Sequence, residues 1–190
     1  MLEVEETELE GVCILAPKRF EDERGWFSEV YSQSALEAVG IATPFVQDNH
    51  SFSRETGVLR GLHCQLPPHA QAKLVRVAAG RVLDVAVDIR RGSPTYGRHI
   101  AMELSAADGR QLYIPQGFLH GFVTLEPATQ LLYKCSHVYA PEADRSIAFD
   151  DPDLAIEWPF ARDEIALSAK DASAPRLRDI DNPFVYEACT

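Results

Sequence analysis

The chain has 190 residues, 46% of them apolar and 25% charged, and a formal net charge of −11. That length fits one domain able to bury a proper core, and the composition is globular rather than disordered. The negative balance argues against a nucleic-acid scaffold, which needs a basic face, although a few arginines focused in a cleft still suit a small anionic ligand.

Met1 to Glu10 is acidic and has no basic stretch leading into an apolar run, so no signal peptide is expected. No segment approaches the roughly 20 apolar residues of a membrane span. Cys13, Cys64, Cys135 and Cys189 lie far apart with no C-x-x-C pair. That spacing suits neither a zinc site nor a disulfide framework, and free thiols in a reducing cytoplasm are expected.

The first expected strand, Val12 to Pro17, ends at proline. Ser34-Ala35-Leu36-Glu37 has the capping-box pattern, so a short helix is expected, with Ser34 capping the amide of Glu37 and Gly40 as the stop. From about residue 45 the pattern changes to short strands. Leu74 to Val77 is followed by Gly80, and Val82 to Ile89 alternates strongly from Leu83. A turn at Gly92-Ser93-Pro94 precedes a strand from His99 to Leu104, and Asp108-Gly109 carries a type I′ turn signal leading into Gln111 to Ile114. Pro115 to Gly117 makes the next turn, before strands at Phe118 to Leu125 and Gln130 to Cys135.

Strands at near-regular spacing with turn residues between them indicate an all-β sandwich or barrel, not alternating βαβ units. Greek-key returns would make it a jelly roll. The tail from Pro141 to Pro159 reads as loop-rich but pinned by Trp158 and Phe160, and Leu167 to Asp171 as a short extended or turn segment.

Polar residues gather in four places: Asp22-Glu23-Arg24-Gly25 with Glu29; Gln47-Asp48-Asn49-His50; Arg60-Gly61-Leu62-His63-Cys64-Gln65 with Lys73; and Leu119-His120-Gly121 with Tyr133 on the next strand. Each alone has a structural reading: a core histidine, an edge charge, a packed phenol, or an Arg24 bonded to its own acidic neighbours. Together they read differently, because charged groups in mid-strand are costly unless a cavity or partner receives them. Arg60 and His63 have opposite strand parity, which a bend at Gly61 would reconcile.

These segments occur in an order and spacing that resembles a known family. Phe45 to Ser51, Val58 to His63, Lys73 to Val77, Asp84 to Arg90, Pro115 to Phe122, Leu132 to Lys134 and Leu167 to Asp171 together are similar to the dTDP-4-dehydrorhamnose 3,5-epimerases (RmlC) of the cupin superfamily. The resemblance runs from about Val12 to Pro175. It implies a cupin-type jelly roll with a few short helices, one domain over residues 1–190. The core would cover about 45–140, with an N-terminal strand arm and a C-terminal tail packed on it.

The resemblance also implies roles. His63 is the catalytic base, Asp171 orients it, Tyr133 returns the proton on the opposite face, and Lys73 steadies charge on the sugar's C4 oxygen with His120 close by. Arg24, Glu29, Gln47, Asn49, Arg60, Asp144 and Lys170 hold the nucleotide and its diphosphate, and Tyr139 stacks on the thymine. The implied substrate is a dTDP-4-keto-6-deoxyhexose, and the implied assembly is a homodimer in which an N-terminal strand crosses to the partner. Cys64 and Ala72 replace a usual aromatic residue and glycine, and Cys135 is uncommon at its position. None of the three is a proposed acid or base.

The residue types suit the chemistry. Epimerisation beside a ketone removes a proton from one face of a carbon and delivers another to the opposite face through an enolate. Histidine, with an ordinary pKa of about 6.5, is a base suited to neutral pH, and a carboxylate behind it fixes the tautomer and favours the imidazolium. A lysine ammonium stabilises the enolate more than the ketone. A tyrosine stays protonated and can donate. Arginines recognise a diphosphate bidentately.

No hydride moves, and no G-x-G-x-x-G follows a strand, so no cofactor is expected. No metal is expected either, since His63-Cys64-Gln65 lacks the His-x-His pair of metal-binding cupins. Three other functions compete: an epimerase inverting one carbon, a metal-dependent oxygenase, and a non-catalytic nucleotide-sugar binding module. The missing His-x-His pair opposes the second. The third leaves His63, Asp171 and Tyr133 together unexplained.

Overall fold

Short strands separated by turns close into two antiparallel sheets in the computed structural model, which describes residues 2–187. The first sheet has the order β1-β2-β10-β7-β12-β5, built from β1 (Glu3–Glu6), β2 (Cys13–Ala16), β10 (Gln111–Ile114), β7 (Lys73–Ala79), β12 (Thr129–Cys135) and β5 (Gln47–Ser53). The second has the order β13-β6-β11-β8-β9, built from β13 (Asp144–Ser146), β6 (Leu59–Gln65), β11 (Phe118–Thr124), β8 (Arg81–Asp88) and β9 (His99–Ser105). From β5 to β8 each connection crosses between the sheets, as do those from β9 to β12, which makes a jelly roll. A separate hairpin pairs β3 (Arg19–Asp22) with β4 (Gly25–Ser28).

Period-two alternation builds the interior. Val75, Val77, Leu112, Ile114 and Leu131 from the first sheet meet Val82, Ala86, Leu104, Phe118 and Phe122 from the second. The second sheet is covered on its outer side too. Leu62, Val85, Val87 and Leu119 pack under Ile147, Leu154, Leu177 and Phe184 of the tail. Every residue of β11 is therefore buried, which explains why its sequence is apolar on both parities. Trp158 pins this layer as expected, its indole N–H donating to the Phe149 carbonyl at 2.8 Å.

Several local expectations are corrected. The helix α1 (Gln33–Glu37) is capped by Ser32, whose Oγ accepts from the Ala35 N–H, and not by Ser34, which sits inside the first turn. Asp108-Gly109 does not make a type I′ hairpin. That turn needs positive φ at both central residues, yet among the described residues only Ala128 and Ala155 have positive φ apart from glycines, and β9 and β10 belong to different sheets. Leu167 to Asp171, expected as an extended or turn segment, takes the second form. It runs into a helical turn, α2 (Ala169–Ala172), whose cap Ser168 accepts from the Asp171 N–H at 3.1 Å. The N-terminal segment and the tail also add strands to the sheets, β1 and β2 on one and β13 on the other.

The bend at Gly61 is present. His120 pairs with His63 and Phe122 with Arg60, so β6 spends one more residue than β11 across this stretch, a β-bulge. Gly61 has φ +133, and a Cβ built there would lie 2.5 Å from the Gly121 Cα. The extra residue lets positions 60 and 63 share a face while Leu59 and Leu62 both point to the outer layer.

Candidate active site

The bulge, together with β7, β11, β12 and α2, surrounds a cavity of about 480 Å³ lined by Arg60, His63, Lys73, His120, Tyr133, Lys170 and Asp171. Ser51, Ser168, Leu59, Phe122 and Leu167 complete its wall. A smaller recess of about 120 Å³ shares His63, Lys73, Tyr133 and Lys170 with it and adds Gln47, Asn49, Tyr139 and Asp144.

His63 Nε2 lies 2.6 Å from Asp171 Oδ1. Burial alone would raise the Asp171 carboxyl, but the hydrogen bond and charge of His63, the Ser168 hydroxyl and the Gly61 amide together hold it below its usual range. An ionised carboxylate only accepts, so Nε2 carries a proton, and in the neutral ring the lone pair is on Nδ1. The Asp171 side chain is 4% exposed and that of His63 30% exposed, so the imidazole is the member open to a ligand.

Lys73 opens β7 and is buried, its Nζ 3.4 Å from the His63 carbonyl oxygen. Burial pushes its pKa down. His120 is buried with Nε2 3.0 and 3.1 Å from the two oxygens of Asp84, which is wholly enclosed. Burial lowers the imidazole pKa even against that carboxylate, so the neutral ring is favoured. Tyr133 is pushed up by burial, while the Arg60 charge and the Asn49 amide pull the other way.

At the rim, Arg60 is steadied by the Phe52 carbonyl at 3.1 Å and the Ser53 hydroxyl at 3.4 Å. Asp144 takes the Tyr139 hydroxyl at 3.1 Å and an ion pair from Lys170. Gln47 accepts the Tyr139 N–H at 2.8 Å.

Two expected members stand apart within this chain. Arg24 lies in the turn of the β3–β4 hairpin, 89% exposed and paired with Asp22, because a two-residue turn directs its side chain outward. Glu29 follows β4 and lines other grooves, beside Tyr31 and Gln111. Sequence reasoning also missed Asp84 as a partner of His120. Its signal was a carboxylate sharing parity with inward Val82 and Ala86 in the middle of an apolar strand. Among the described residues no group of three or more His, Cys, Asp or Glu is placed to hold a metal ion.

Comparison with known proteins follows the same line. A family model described as dTDP-4-dehydrorhamnose 3,5-epimerase matches residues 6–179. The epimerase of that name from Salmonella typhimurium is 52% identical over 178 residues, 93% of this chain and 96% of that protein. The crystal structure of the Legionella pneumophila epimerase in complex with dTDP-4-keto-L-rhamnose superposes with a TM-score of 0.94 at 45% identity, covering 99% of this chain and all of that one. ChmJ, a 3′-monoepimerase from Streptomyces bikiniensis in complex with dTDP-quinovose, is similar at a TM-score of 0.82 and 37% identity, covering 90% and 86%.

Proposed function

The chain belongs to the dTDP-4-dehydrorhamnose 3,5-epimerase family, and from that premise we propose that it converts dTDP-4-dehydro-6-deoxy-D-glucose to dTDP-4-dehydro-L-rhamnose. The reaction is proton removal and return at C3 and C5, both α to the C4 ketone. One observation carries the reading: a carboxylate-backed imidazole, a lysine and a phenol line one cavity.

His63 takes the proton with Nδ1, and Asp171 stabilises the imidazolium that forms. Lys73 meets the oxygen where enolate charge grows, in a site dry enough to strengthen that interaction. His120, anchored on Asp84, offers Nδ1 as an acceptor to a sugar hydroxyl or to the Lys73 ammonium. Tyr133 gives its proton to the opposite face. Arg60 and Lys170 take the diphosphate, with Gln47, Asn49 and Asp144 beside it and Tyr139 on the base. No cofactor is needed for the proton exchange.

The whole chain, residues 1–190, acts as one epimerase domain in this reading, and it works as a homodimer. Phe20, Trp26 and Phe27 of the β3–β4 hairpin are 54%, 56% and 71% exposed, which supports docking of the hairpin on a second copy. Arg24 and Glu29 would then complete the second copy's cavity. Cys13, Cys64 and Cys135 are free and buried, which supports work in a reducing cytoplasm. Cys189 lies outside the described residues, and among those described no helix is long and apolar enough to cross a membrane.

The test is His63→Ala in heavy water. Deuterium uptake at both C3 and C5 is expected to vanish while dTDP binding survives; exchange at the parental rate would remove His63 as the base. In the parent, uptake at one carbon alone would identify a single-carbon epimerase.

A further inference from the structure

Two neighbouring strands bring four side chains together beside the proposed proton donor. In the β12–β5 register Tyr133 stands opposite Asn49 and Cys135 opposite Gln47. Gln47 Nε2 donates to the Asn49 carbonyl oxygen at 3.1 Å. With its oxygen so engaged, the Asn49 carboxamide turns its nitrogen toward Cys135, Nδ2 lying 3.5 Å from Sγ. In that register the same residue stands directly across from Tyr133, and the two line one recess. An amide nitrogen has two hydrogens, enough for both partners.

The chemistry gives this arrangement a use. When Tyr133 protonates the enolate carbon, its O–H bond breaks, a C–H bond forms, and the electron pair stays on oxygen as phenolate. A phenolate in a buried site is costly, and an N–H aimed at its oxygen offsets that cost as the charge develops. Water later returns a proton to Tyr133 and takes one from His63, which closes the cycle.

We propose that Cys135 is a positioning residue for the proton donor: its sulfur accepts one Asn49 N–H and so fixes the amide where the other meets the Tyr133 oxygen. The thiol is fit for this. It is 1% exposed, and burial holds its pKa above the usual value, so the sulfur remains uncharged. Because Gln47 also holds the Tyr139 N–H, the chain Tyr139–Gln47–Asn49–Tyr133 ties the rim of the cavity to the acid.

The inference rests on Tyr133 acting as the donor, so the experiment separates the two. Cys135→Val removes the acceptor and keeps the bulk; Cys135→Ser keeps an acceptor. The valine variant is expected to lose about three- to tenfold in kcat, the range of one neutral hydrogen bond, with KM within twofold of the parent. The loss should fall on inversion and not on solvent exchange at the His63 face, so the ratio of deuterium exchange to inversion should rise, since a less stabilised phenolate means a weaker acid. The serine variant should stay within twofold of the parent, and Asn49→Ala should raise that ratio further. Should valine prevent folding, Cys135→Ala is read by the same criteria.

A valine or alanine variant with parental kcat and a parental ratio of exchange to inversion refutes the role of Cys135, and a parental ratio in Asn49→Ala removes the whole relay. Tyr133→Phe tests the underlying reading. If it still inverts the sugar at the parental rate, the donor assignment itself is wrong. If it exchanges deuterium without inversion while the valine variant behaves as parent, only the positioning role falls.

Discussion

Gly61→Ala tests the structural basis of the cavity. Alanine at φ +133 carries a strain of about 1–3 kcal/mol, and its Cβ would sit 2.5 Å from the Gly121 Cα and 3.0 Å from the His120 carbonyl oxygen. Both neighbours are backbone, so relief requires β6 and β11 to part, at the cost of overpacking, about 1–3 kcal/mol. The sum, about 2–6 kcal/mol, is a large share of a domain's net stability, and at about 2–4 °C per kcal/mol it predicts a melting point lower by about 5–20 °C.

Gly92→Ala is the control. Gly92 has φ +85 with nothing within 4 Å of a built Cβ, so it should show the conformational cost alone, about 1–2 kcal/mol. The catalytic readout follows from the bulge: His63 pairs with His120 at its edge, so parting β6 from β11 moves the imidazole. kcat of the folded fraction should therefore fall about 100-fold or more, as expected for misplaced reacting groups. Thermal melts by circular dichroism and turnover at 25 °C measure both. If Gly61→Ala melts within about 2 °C of the control and keeps parental kcat, the close approach of β6 and β11 is not what aims His63.

Further outcomes follow from the site. Asp171→Asn should cost about 10³- to 10⁴-fold in kcat by leaving the imidazole in the wrong tautomer. A parental rate would mean that the 2.6 Å contact does not orient the base. The same carboxyl has a depressed folded pKa, so its contribution to stability is full above the unfolded value of about 4 and fades as pH falls through the folded one. Urea midpoints of the parent and Asp171→Asn should differ at pH 7 and converge toward pH 2; a constant gap would contradict the linkage. Cys13 and Cys64 are pushed up to about 11 by burial, and thiolate is the reactive form. Peptide mapping after iodoacetamide at pH 8 should leave both unmodified in native protein and alkylated after unfolding, and rapid native labelling would show that these thiols are not enclosed.

Strand positions were readable where one face is buried, because alternation in β8 and the glycine and proline turns around it are local signals. β11 was equally visible, as an apolar run. Elements whose stability comes from elsewhere were not. β1 is four exposed residues, three of them glutamates, that hold only by pairing with β2. β13 is short and half-buried, and α2 is a single turn fixed by Ser168.

Among site residues, His63, Lys73, His120, Tyr133 and Asp171 were found as a set through resemblance, since strands distant in sequence supply them. Asp84 escaped because a lone aspartate inside an apolar strand declares its partner only once β8 lies beside β11. Arg24 and Glu29 do not join the cavity within this chain, because the hairpin turn carries Arg24 outward and Glu29 lines other grooves.

The outer layer over the second sheet comes late in the chain. Ile147, Leu154, Leu177 and Phe184 cover β6, β8 and β11, so during synthesis those strands leave the ribosome with one greasy side uncovered until this segment emerges. Cooperative closure must then wait for it, and a nascent chain paused before that point is the species most open to aggregation or chaperone capture. Asp171 belongs to the same stretch, so a stalled chain has neither a sealed sheet nor the contact to His63, and the pair on which the proposed mechanism rests is completed in the same step as the finished hydrophobic layer.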